Sequence, residues 1–444
     1  MSTGIEWSVE LCREALRTIE SSATQLSVYS SDNAAGGLAS VGKRRKVRRM
    51  GQPDPISSMN LVLNREGVLI WQEESPNPGL VGRRGMHRSG SGGSGKIVDQ
   101  YHFEKLEPNE VGAFLRSLDD KLTPLQGLMR LKGGVLGPVG PGYKCRGKSN
   151  TLVIVHGTFS NSENVINGIK ACGSGADFLA RIERHYKAGV FAFSHPTLSV
   201  SPILNAYDLG GLFSDFEGDI DVVAHSRGGL VTRWWLEAFG NRRGNQRRAV
   251  LVGSPLQGTS LASPPQLKST LSALTNIGMA LKTAGAAASV WNPFLIAPLG
   301  LLKVVTSVTS VAAKTPVIDA AVAMIPGLAA QSRVSGNPEL ERIRDSAIVS
   351  PLEYYVVKAN FQTESAGWKF WKWFRKDKLL DAAADQIFPG DNDLVVDTQS
   401  MTEFSVNPFL GDVCDFGTSA TVHHTNYFEQ DKTLDFIAEK FKIP

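Results

Sequence analysis

The chain contains the stretch Ile220-Asp221-Val222-Val223-Ala224-His225-Ser226-Arg227-Gly228-Gly229, followed by Leu230-Val231-Thr232-Arg233-Trp234-Trp235-Leu236. The apolar, β-branched start of the first segment predicts a buried strand, and the second segment has the pattern of a helix. A sharp turn between them needs small residues two positions before and two positions after its apex, and Ala224 and Gly228 meet that need. The stretch therefore predicts a strand, a tight turn that presents Ser226, and a helix.

Four further apolar runs predict strands that alternate with helical segments, at residues 151–155, 190–193, 249–252 and 354–357. Continuous apolar strands separated by helices indicate a mostly parallel central sheet with helices on both faces. The predicted fold class is therefore α/β. In open sheets of this kind functional residues collect at the carboxyl ends of the strands, where Ser226 lies.

Composition excludes several classes of protein. The 444 residues are 42% hydrophobic and 20% charged, which is ordinary for a globular chain. The net charge of +4 is small, so the sequence does not resemble a nucleic-acid-binding domain and predicts no nucleic-acid partner. The N-terminus has neither a basic nor an apolar signal region, so we expect a cytoplasmic protein. Secretion without a cleaved signal would leave the same sequence.

Cysteine usage also limits the chemistry. The four cysteines are widely spaced and form no CxxC pair, which predicts free thiols and no zinc site. A single disulfide between Cys145 and Cys172 is the alternative.

Two domains are predicted. An N-terminal region at 1–105 contains an amphipathic helix (5–20), a hairpin (61–63 with 68–71), a basic run (43–49) and a Gly/Ser-rich run (89–95). We interpret the two runs as loops, although the basic run also suits a nuclear-localisation signal or a patch for anionic surfaces. The larger domain spans 106–444.

The larger domain carries an apolar insertion at about 257–332. Its leucines follow one helical face, which predicts a helical cap or lid with a peripheral membrane contact. A buried helical pair and a membrane span are the alternatives, and Pro293 and Pro298 oppose the span. The aromatic and basic segment 367–376 suits either a helix packed on the core or a membrane-surface contact, and we favour core packing.

Two strand ends together predict acyl-transfer chemistry. Ser226 precedes a helix N-terminus, which favours developing negative charge. Such chemistry also needs two backbone N–H donors directed at an oxyanion. Arg227, directly after the serine, and Thr158, in the loop that begins with His156 and Gly157, are positioned to supply them.

At this point the chain resembles the α/β-hydrolase superfamily, and within it the lipases. The matching motifs are His156-Gly157-Thr158, Ala224-His225-Ser226-Arg227-Gly228-Gly229, and Val252-Gly253-Ser254-Pro255 with Gly258-Thr259. Ala224 departs from the commoner glycine. The resemblance covers about 150–260 and 345–444. It implies the α/β-hydrolase fold and a triad in the order Ser…Asp…His.

The resemblance also indicates the acid and the base. Pro389-Gly390-Asp391-Asn392-Asp393-Leu394-Val395-Val396 resembles the lipase N-D-G-x-V loop with Leu394 in place of glycine, which makes Asp393 the acid. Asp391 and Asp397 are the alternatives. His424 fits the family's H-x-x-Y/F ending and is the expected base, with His423 as the alternative. His156 and His225 match positions that support the backbone.

The function implied is a serine hydrolase that cleaves acyl esters, as a lipase, phospholipase or carboxylesterase, with Ser226 as nucleophile. It needs no metal and no organic cofactor. A thioesterase, amidase or acyltransferase would use the same triad, so these activities remain alternatives. A non-catalytic, membrane-interacting protein with a hydrolase fold is the alternative from another class.

Overall fold

A computed structural model describes residues 7–30, 56–73, 95–240, 245–263, 267–286, 288–309, 325–333, 337–344, 352–368, 370–375, 388, 390–404 and 410–444. The predicted basic run 43–49 lies outside the described residues, as does the Gly/Ser-rich run except Gly95. The chain forms two compact units. Unit 1 comprises Met1–Phe114, Pro265–Ala321 and Glu364–Ile387, and unit 2 comprises Leu115–Pro264, Val322–Thr363 and Phe388–Pro444.

The elements are numbered in chain order. The strands are β1 (Val28–Ser30), β2 (Ile56–Leu63), β3 (Leu69–Glu73), β4 (Lys96–Glu104), β5 (Gly127–Lys132), β6 (Val135–Pro138), β7 (Thr151–Val155), β8 (Gly189–Ser194), β9 (Ile220–His225), β10 (Arg247–Val252), β11 (Leu352–Phe361) and β12 (Leu410–Ser419). The helices are α1 (Val9–Arg17), α2 (Glu20–Gln25), α3 (Val111–Leu122), α4 (Ser162–Ala171), α5 (Gly175–His185), α6 (Pro202–Leu212), α7 (Gly228–Trp234), α8 (Leu267–Thr283), α9 (Ala288–Thr309), α10 (Pro326–Ala329), α11 (Pro338–Arg344), α12 (Phe370–Arg375) and α13 (Asp431–Lys440).

Unit 1 contains an antiparallel sheet with the strand order β1-β4-β2-β3. The predicted hairpin is present as β2 and β3. Its turn is closed by Asn64, whose Oδ1 accepts from the amides of Glu66 and Val68, both at 2.9 Å. Gly67 takes the left-handed φ of +78° that the turn requires. The N-terminal amphipathic helix is also present as α1, which begins at Val9.

Helix α8 packs beside the edge strand β3 through polar side chains. Asn276 accepts from the amide of Leu69 at 3.0 Å and donates to its carbonyl at 2.8 Å. Ser272 Oγ accepts from the amide of Trp71 at 3.1 Å, and Thr275 Oγ1 accepts from its indole N–H at 3.0 Å. An unpaired strand edge exposes such groups, so the helix satisfies them much as another strand would.

The predicted domains 1–105 and 106–444, with an insertion at 257–332, stay predictions. Helices α8 and α9 of the predicted insertion share a compact unit with the N-terminal sheet. The sequence gives no sign of this, because the paired residues lie about 200 positions apart. The lid role of the insertion stays a prediction.

Helix α9 is long and apolar and continues through Pro293 and Pro298. It buries Lys303, whose Nζ donates to the carbonyl of Leu26 at 2.8 Å and lies 5.1 Å from the ring centre of Phe114. Burial lowers the pKa of this lysine. Within the described part of the chain, no helix combines the length and apolarity needed to cross a membrane.

The aromatic segment of unit 1 agrees with the core-packing interpretation. Phe370, Trp371 and Phe374 in α12 are buried, and Phe370 stacks on Trp7 with ring centres 5.7 Å apart.

Unit 2 contains an eight-stranded sheet with the order β12-β11-β10-β9-β7-β8-β5-β6. Neighbours from β12 to β8 are parallel, and β5 runs antiparallel to both β8 and β6. Both faces are covered, because alternate residues of β9 and β10 enter two separate apolar clusters. The α/β class and all five predicted strands are confirmed. Strands β5, β6 and β12 were not predicted, and they occupy the two ends of the sheet.

A buried ion pair holds the C-terminal helix of unit 2 near the start of β9 and β10. Arg248 donates from Nε and Nη2 to the two oxygens of Asp221, both at 2.7 Å. The same guanidinium donates to the carbonyls of Lys440 and Phe441 at 3.1 and 3.2 Å. Tyr186 adds a hydroxyl donor to Asp221 at 2.7 Å.

Arg248→Met is expected to lower the free energy of unfolding by about 3 kcal/mol, because it leaves a buried carboxylate without its cation. Urea denaturation followed by tryptophan fluorescence measures the change. Arg146→Met is the matched control, since Arg146 pairs with Asp215 on the surface and is 73% exposed. The control should change stability by less than about 1 kcal/mol. Equal effects of the two substitutions would contradict the assigned role of Arg248.

Candidate active site

Ser226 lies at the apex of a strained turn between β9 and α7. Its φ is +53°, in the left-handed region that residues other than glycine rarely adopt. Its amide donates to the carbonyl of Val252 at 2.8 Å, which holds the turn against the neighbouring strand. A Cβ at position 228 would lie 2.5 Å from the carbonyl oxygen of Val155, so the start of α7 requires glycine there. The predicted strand, turn and helix are thus present.

Asp393 and His424 form a buried hydrogen-bonded pair. His424 Nδ1 lies 2.8 Å from Asp393 Oδ2, and the hydroxyl of Tyr427 donates to the same oxygen at 2.9 Å. Asp393 Oδ1 accepts from the amides of Val395 and Val396 at 3.1 and 2.9 Å. These four donors fix the carboxylate. With Nδ1–H directed at Asp393, Nε2 of His424 is the ring nitrogen left to accept a proton.

This pair is adjacent to the serine turn through Gly253. A Cβ at Gly253 would lie 3.1 Å from Asp393 Oδ2 and 3.3 Å from His424 Nδ1. Gly253 directly follows Val252, which accepts the amide of Ser226. His225 is also close, because its Nε2 donates to the carbonyl of His424 at 2.8 Å and the ring centres are 4.7 Å apart. The structure thus brings Ser226, Asp393 and His424 to the carboxyl ends of adjacent strands.

The alternative acids occupy other places in the same loop. Asp397 accepts from the amide and hydroxyl of Ser260 and lies 3.4 Å from Arg333 Nη1. The backbone carbonyl of Asp391 accepts from the amide of Thr398 at 2.8 Å and closes the loop. Asp393 is the one of the three whose carboxylate contacts the ring of His424.

The ring of the alternative base, His423, lies against Thr425 and Phe361. Its Nδ1 lies 3.0 Å from the hydroxyl of Thr425, and its ring meets Phe361 edge-on at 5.5 Å. Burial lowers the pKa of His423 to about 4.

The loop after β7 brings Thr158 to the serine turn. Gly157 makes the close approach possible, because a Cβ there would lie 2.5 Å from the Cβ of Ser226. Phe159, which directly follows Thr158, has a left-handed φ of +56°. In the described part of the chain, the amides of Thr158 and Arg227 donate to no other group. Both are therefore available as oxyanion donors, and their role stays a prediction.

His156 and His225 support the backbone, as the resemblance implies. His156 Nδ1 lies 2.9 Å from the carbonyl of Gly157, and its Nε2 accepts from the amide of His195 at 3.0 Å. Burial lowers the pKa of both His156 and His225 to about 3, so both rings are neutral near pH 7.

Leu394 has a backbone conformation that favours glycine, which is the residue that the lipase pattern has at this position. Its φ is +91°, which is a conformation that costs a branched residue roughly 1–3 kcal/mol. The side chain is fully buried, and its amide donates to Asn392 Oδ1 at 3.1 Å. Burial and the surrounding hydrogen bonds offset the strain.

Three side chains around the site make contacts that the sequence does not predict. Tyr427 was visible as the aromatic end of the H-x-x-Y/F pattern, but its bond to Asp393 was not. Gln331 donates to the hydroxyl of Thr158 and carries no sequence signal. The guanidinium of Arg227 is completely buried and donates to the carbonyl of Val200 at 2.5 Å. Burial lowers its pKa to about 10.

Among the described residues there is neither a cluster of metal-ligating side chains nor a disulfide. Within the described ranges, no three His, Cys, Asp or Glu side chains come together in a way that could hold a metal ion. All four cysteines are free and buried, so the Cys145–Cys172 bridge is not formed.

The mostly parallel sheet, the left-handed serine between β9 and α7 and the following acid and histidine define an α/β-hydrolase fold. Residues 141–442 match the family described as "Domain of unknown function (DUF7379)", and the chain belongs to this family.

Solved structures with similar folds include lipase 1 from Pelosinus fermentans, with 15% identity and a TM-score of 0.42 over 66% of this chain and 99% of that chain. A Bacillus licheniformis lipase has 14% identity and a TM-score of 0.33 over 68% and 95% of the two chains. The Cif epoxide hydrolase from Acinetobacter nosocomialis has 14% identity and a TM-score of 0.36 over 76% and 98%. These likenesses concern the fold alone. The search of curated proteins found no match.

The buried histidines predict acid lability. Burial holds the pKa of His156, His225 and His423 at about 3, 3 and 4, whereas an unfolded histidine has a pKa of about 6.5. Between those values the unfolded chain binds more protons, so stability is full above about pH 6.5 and falls as the pH falls. Each such histidine contributes a slope of about 1.4 kcal/mol per pH unit.

Urea denaturation at pH 4.5 to 7.5 measures this slope. His423→Gln is expected to reduce it by about one proton, because it removes one of these groups. An unchanged slope in the variant would show that His423 is protonated in the folded state.

Proposed function

We propose that the chain is a serine hydrolase that cleaves acyl esters through Ser226, His424 and Asp393. One observation carries the proposal: the bond of 2.8 Å between His424 Nδ1 and Asp393 Oδ2, buried beside a serine with a left-handed backbone. A buried carboxylate that fixes one nitrogen of an imidazole leaves the other as a general base. A strained serine on a strand-to-helix turn presents its hydroxyl to that base.

The reaction proceeds in two steps. Ser226 Oγ attacks the ester carbonyl while its proton passes to Nε2 of His424, and Asp393 stabilises the resulting imidazolium. The amides of Thr158 and Arg227 donate to the tetrahedral oxyanion. Collapse breaks the C–O bond, the alcohol leaves with the proton from His424, and an acyl-Ser226 ester remains. Water then attacks the acyl carbon and gives one proton to His424. The bond between the acyl carbon and Ser226 Oγ breaks, His424 returns the proton to Ser226, and the carboxylic acid leaves.

The substrate class proposed is a carboxylic or lipid ester. The support is the lipase-like motif from Val252 to Thr259. A peripheral contact between this insertion and a membrane surface is part of the proposal, as is a cytoplasmic location.

Ser226→Ala is expected to lower kcat on p-nitrophenyl acyl esters by about 10⁴-fold or more, because it removes the nucleophile. It should also abolish labelling by a fluorophosphonate, while circular dichroism shows an unchanged fold. A parallel panel of thioester and amide substrates tests the selectivity for esters. Hydrolysis retained in the alanine variant would overturn the proposal.

The two pairs of candidates provide matched controls for the acid and the base. His424→Gln and Asp393→Asn should each lower kcat by about 10³-fold or more, because they remove the base or its orientation. His423→Gln and Asp391→Asn should keep kcat within about threefold, since neither side chain joins the buried pair. A reversed pattern would reassign the acid and the base within the same mechanism.

Tyr427→Phe is expected to lower kcat by about tenfold with little change in KM. It removes a hydroxyl donor from the charged carboxylate of Asp393, and such a bond contributes roughly 1.5–3 kcal/mol. Steady-state kinetics on the same esters measure the effect. Tyr355→Phe is the control, because the hydroxyl of Tyr355 donates to Glu353 instead. A kcat equal to that of the wild type would show that the hydrogen bond from Tyr427 to Asp393 does not contribute to the rate.

A further inference from the structure

The chain returns from the insertion along a short segment, Ile325–Arg333, which is called here the return segment. Its helix α10 includes Gly327, whose amide donates to the carbonyl of Leu198 at 3.0 Å. A Cβ at Gly327 would lie 1.8 Å from the carbonyl oxygen of Thr197, so this approach requires glycine. Further along, Thr259 pairs with the segment and donates its amide to the carbonyl of Gln331 at 2.8 Å. Backbone contacts therefore hold the return segment in place within unit 2.

The side chain of Gln331 connects this segment to the predicted oxyanion loop. It is only 4% exposed, and its Nε2 donates to the hydroxyl of Thr158 at 2.9 Å and to the carbonyl of Gly327 at 3.0 Å. Both N–H bonds of the amide are thereby used. Thr158 lies in the turn after β7, and this turn is adjacent to the turn that carries Ser226.

The turn that carries Thr158 needs such restraint. Phe159 has a left-handed φ of +56°, which persists only where surrounding contacts hold it. One restraint is the bond of 3.4 Å from the amide of Phe159 to the hydroxyl of Thr197. Thr197 is fixed in turn by Asp119, whose Oδ1 accepts from its amide at 2.8 Å. Gln331 supplies the restraint on the other side of the Thr158–Phe159 peptide bond.

We infer that Gln331 is a positioning residue for the oxyanion donor at Thr158. The inference rests on the proposed function. An oxyanion donor accelerates acyl transfer only when it is already directed at the place where the charge develops. The amide of Thr158 belongs to the same residue as the hydroxyl that Gln331 holds, so the bond sets the orientation of that residue before substrate binds.

The position of the return segment does not depend on the hydrogen bond between Gln331 and Thr158. The return segment is already seated by its own backbone, through Gly327, the carbonyl of Gln331 and the amide of Arg333, which donates to the carbonyl of Thr259 at 3.3 Å. A buried amide that makes no such contact would cost free energy, and an apolar residue would fill the position without that cost.

A double-mutant cycle in the full chain tests the inference. Gln331→Ala removes the donor, and Thr158→Val removes the hydroxyl while it keeps the backbone amide. Each is expected to lower kcat on p-nitrophenyl esters by about tenfold, with KM within about twofold, because the loss concerns the transition state. The double variant should resemble either single variant, since both break the same bond.

Two further variants separate positioning from folding. Asn337→Ala is the matched control, because the amide of Asn337 donates to the carbonyls of Ala329 and Ser332 in the return segment and contacts no oxyanion residue. It should lower the melting temperature but leave kcat within about threefold. Gln331→Glu keeps the shape but places a carboxylate against the hydroxyl of Thr158, the residue that carries the predicted oxyanion donor, so it should lower kcat more than Gln331→Ala.

The outcomes distinguish the inference from the proposed function. Additive losses in the cycle, an unchanged kcat in Gln331→Ala, or equal kcat losses in Gln331→Ala and Asn337→Ala would each overturn the role of Gln331 while the wild type still hydrolyses esters. A wild-type protein that neither hydrolyses esters nor reacts with a fluorophosphonate would overturn the proposed function and this inference with it.

Discussion

The left-handed backbone of Ser226 is the constraint on which the site depends. This conformation disfavours any residue with a Cβ, and the neighbours must compensate. The amide of Ser226 donates to Val252, and Gly157 and Gly228 leave the space that the turn occupies. Gly253 follows the end of β10, and the lack of a side chain there leaves space for Asp393 and His424. Close approach of backbones at three strand ends therefore brings the three side chains of the candidate triad together.

Burial disfavours the charged form of three histidines at this edge of the sheet. Desolvation lowers the pKa of His156, His225 and His423, and each neutral ring bonds a backbone group or a hydroxyl nearby. The contact of His424 is of another kind, because the carboxylate of Asp393 faces its Nδ1. Four donors surround the buried carboxylate of Asp393, and a buried carboxyl group without such partners would be strongly disfavoured. The same low-polarity environment would strengthen the oxyanion contacts in the proposed reaction.

The two units satisfy their backbone polar groups by different means. In unit 2 the strands pair mainly with parallel neighbours, and both faces are covered by apolar clusters. In unit 1 the four-stranded sheet is small, and polar side chains of α8 complete the hydrogen bonds of its edge strand β3. The polar residues Ser272, Thr275 and Asn276 of α8 therefore have a physical reason, and many apolar residues of α8 and α9 are buried.

The sequence by itself determined the α/β class, five strands of the main sheet and the motifs that contain Ser226, Thr158, Asp393 and His424. Local patterns suffice there, because β-branched runs, small residues around a sharp turn and motif spacing are properties of short segments. Only the tertiary structure decided which acid contacts which histidine, that Tyr427 shares Asp393, and that Gln331 reaches Thr158 from 173 positions away. It also decided that α8 pairs with β3. These contacts join distant residues through single hydrogen bonds, and a hydrogen bond between distant residues leaves no periodic pattern in the chain.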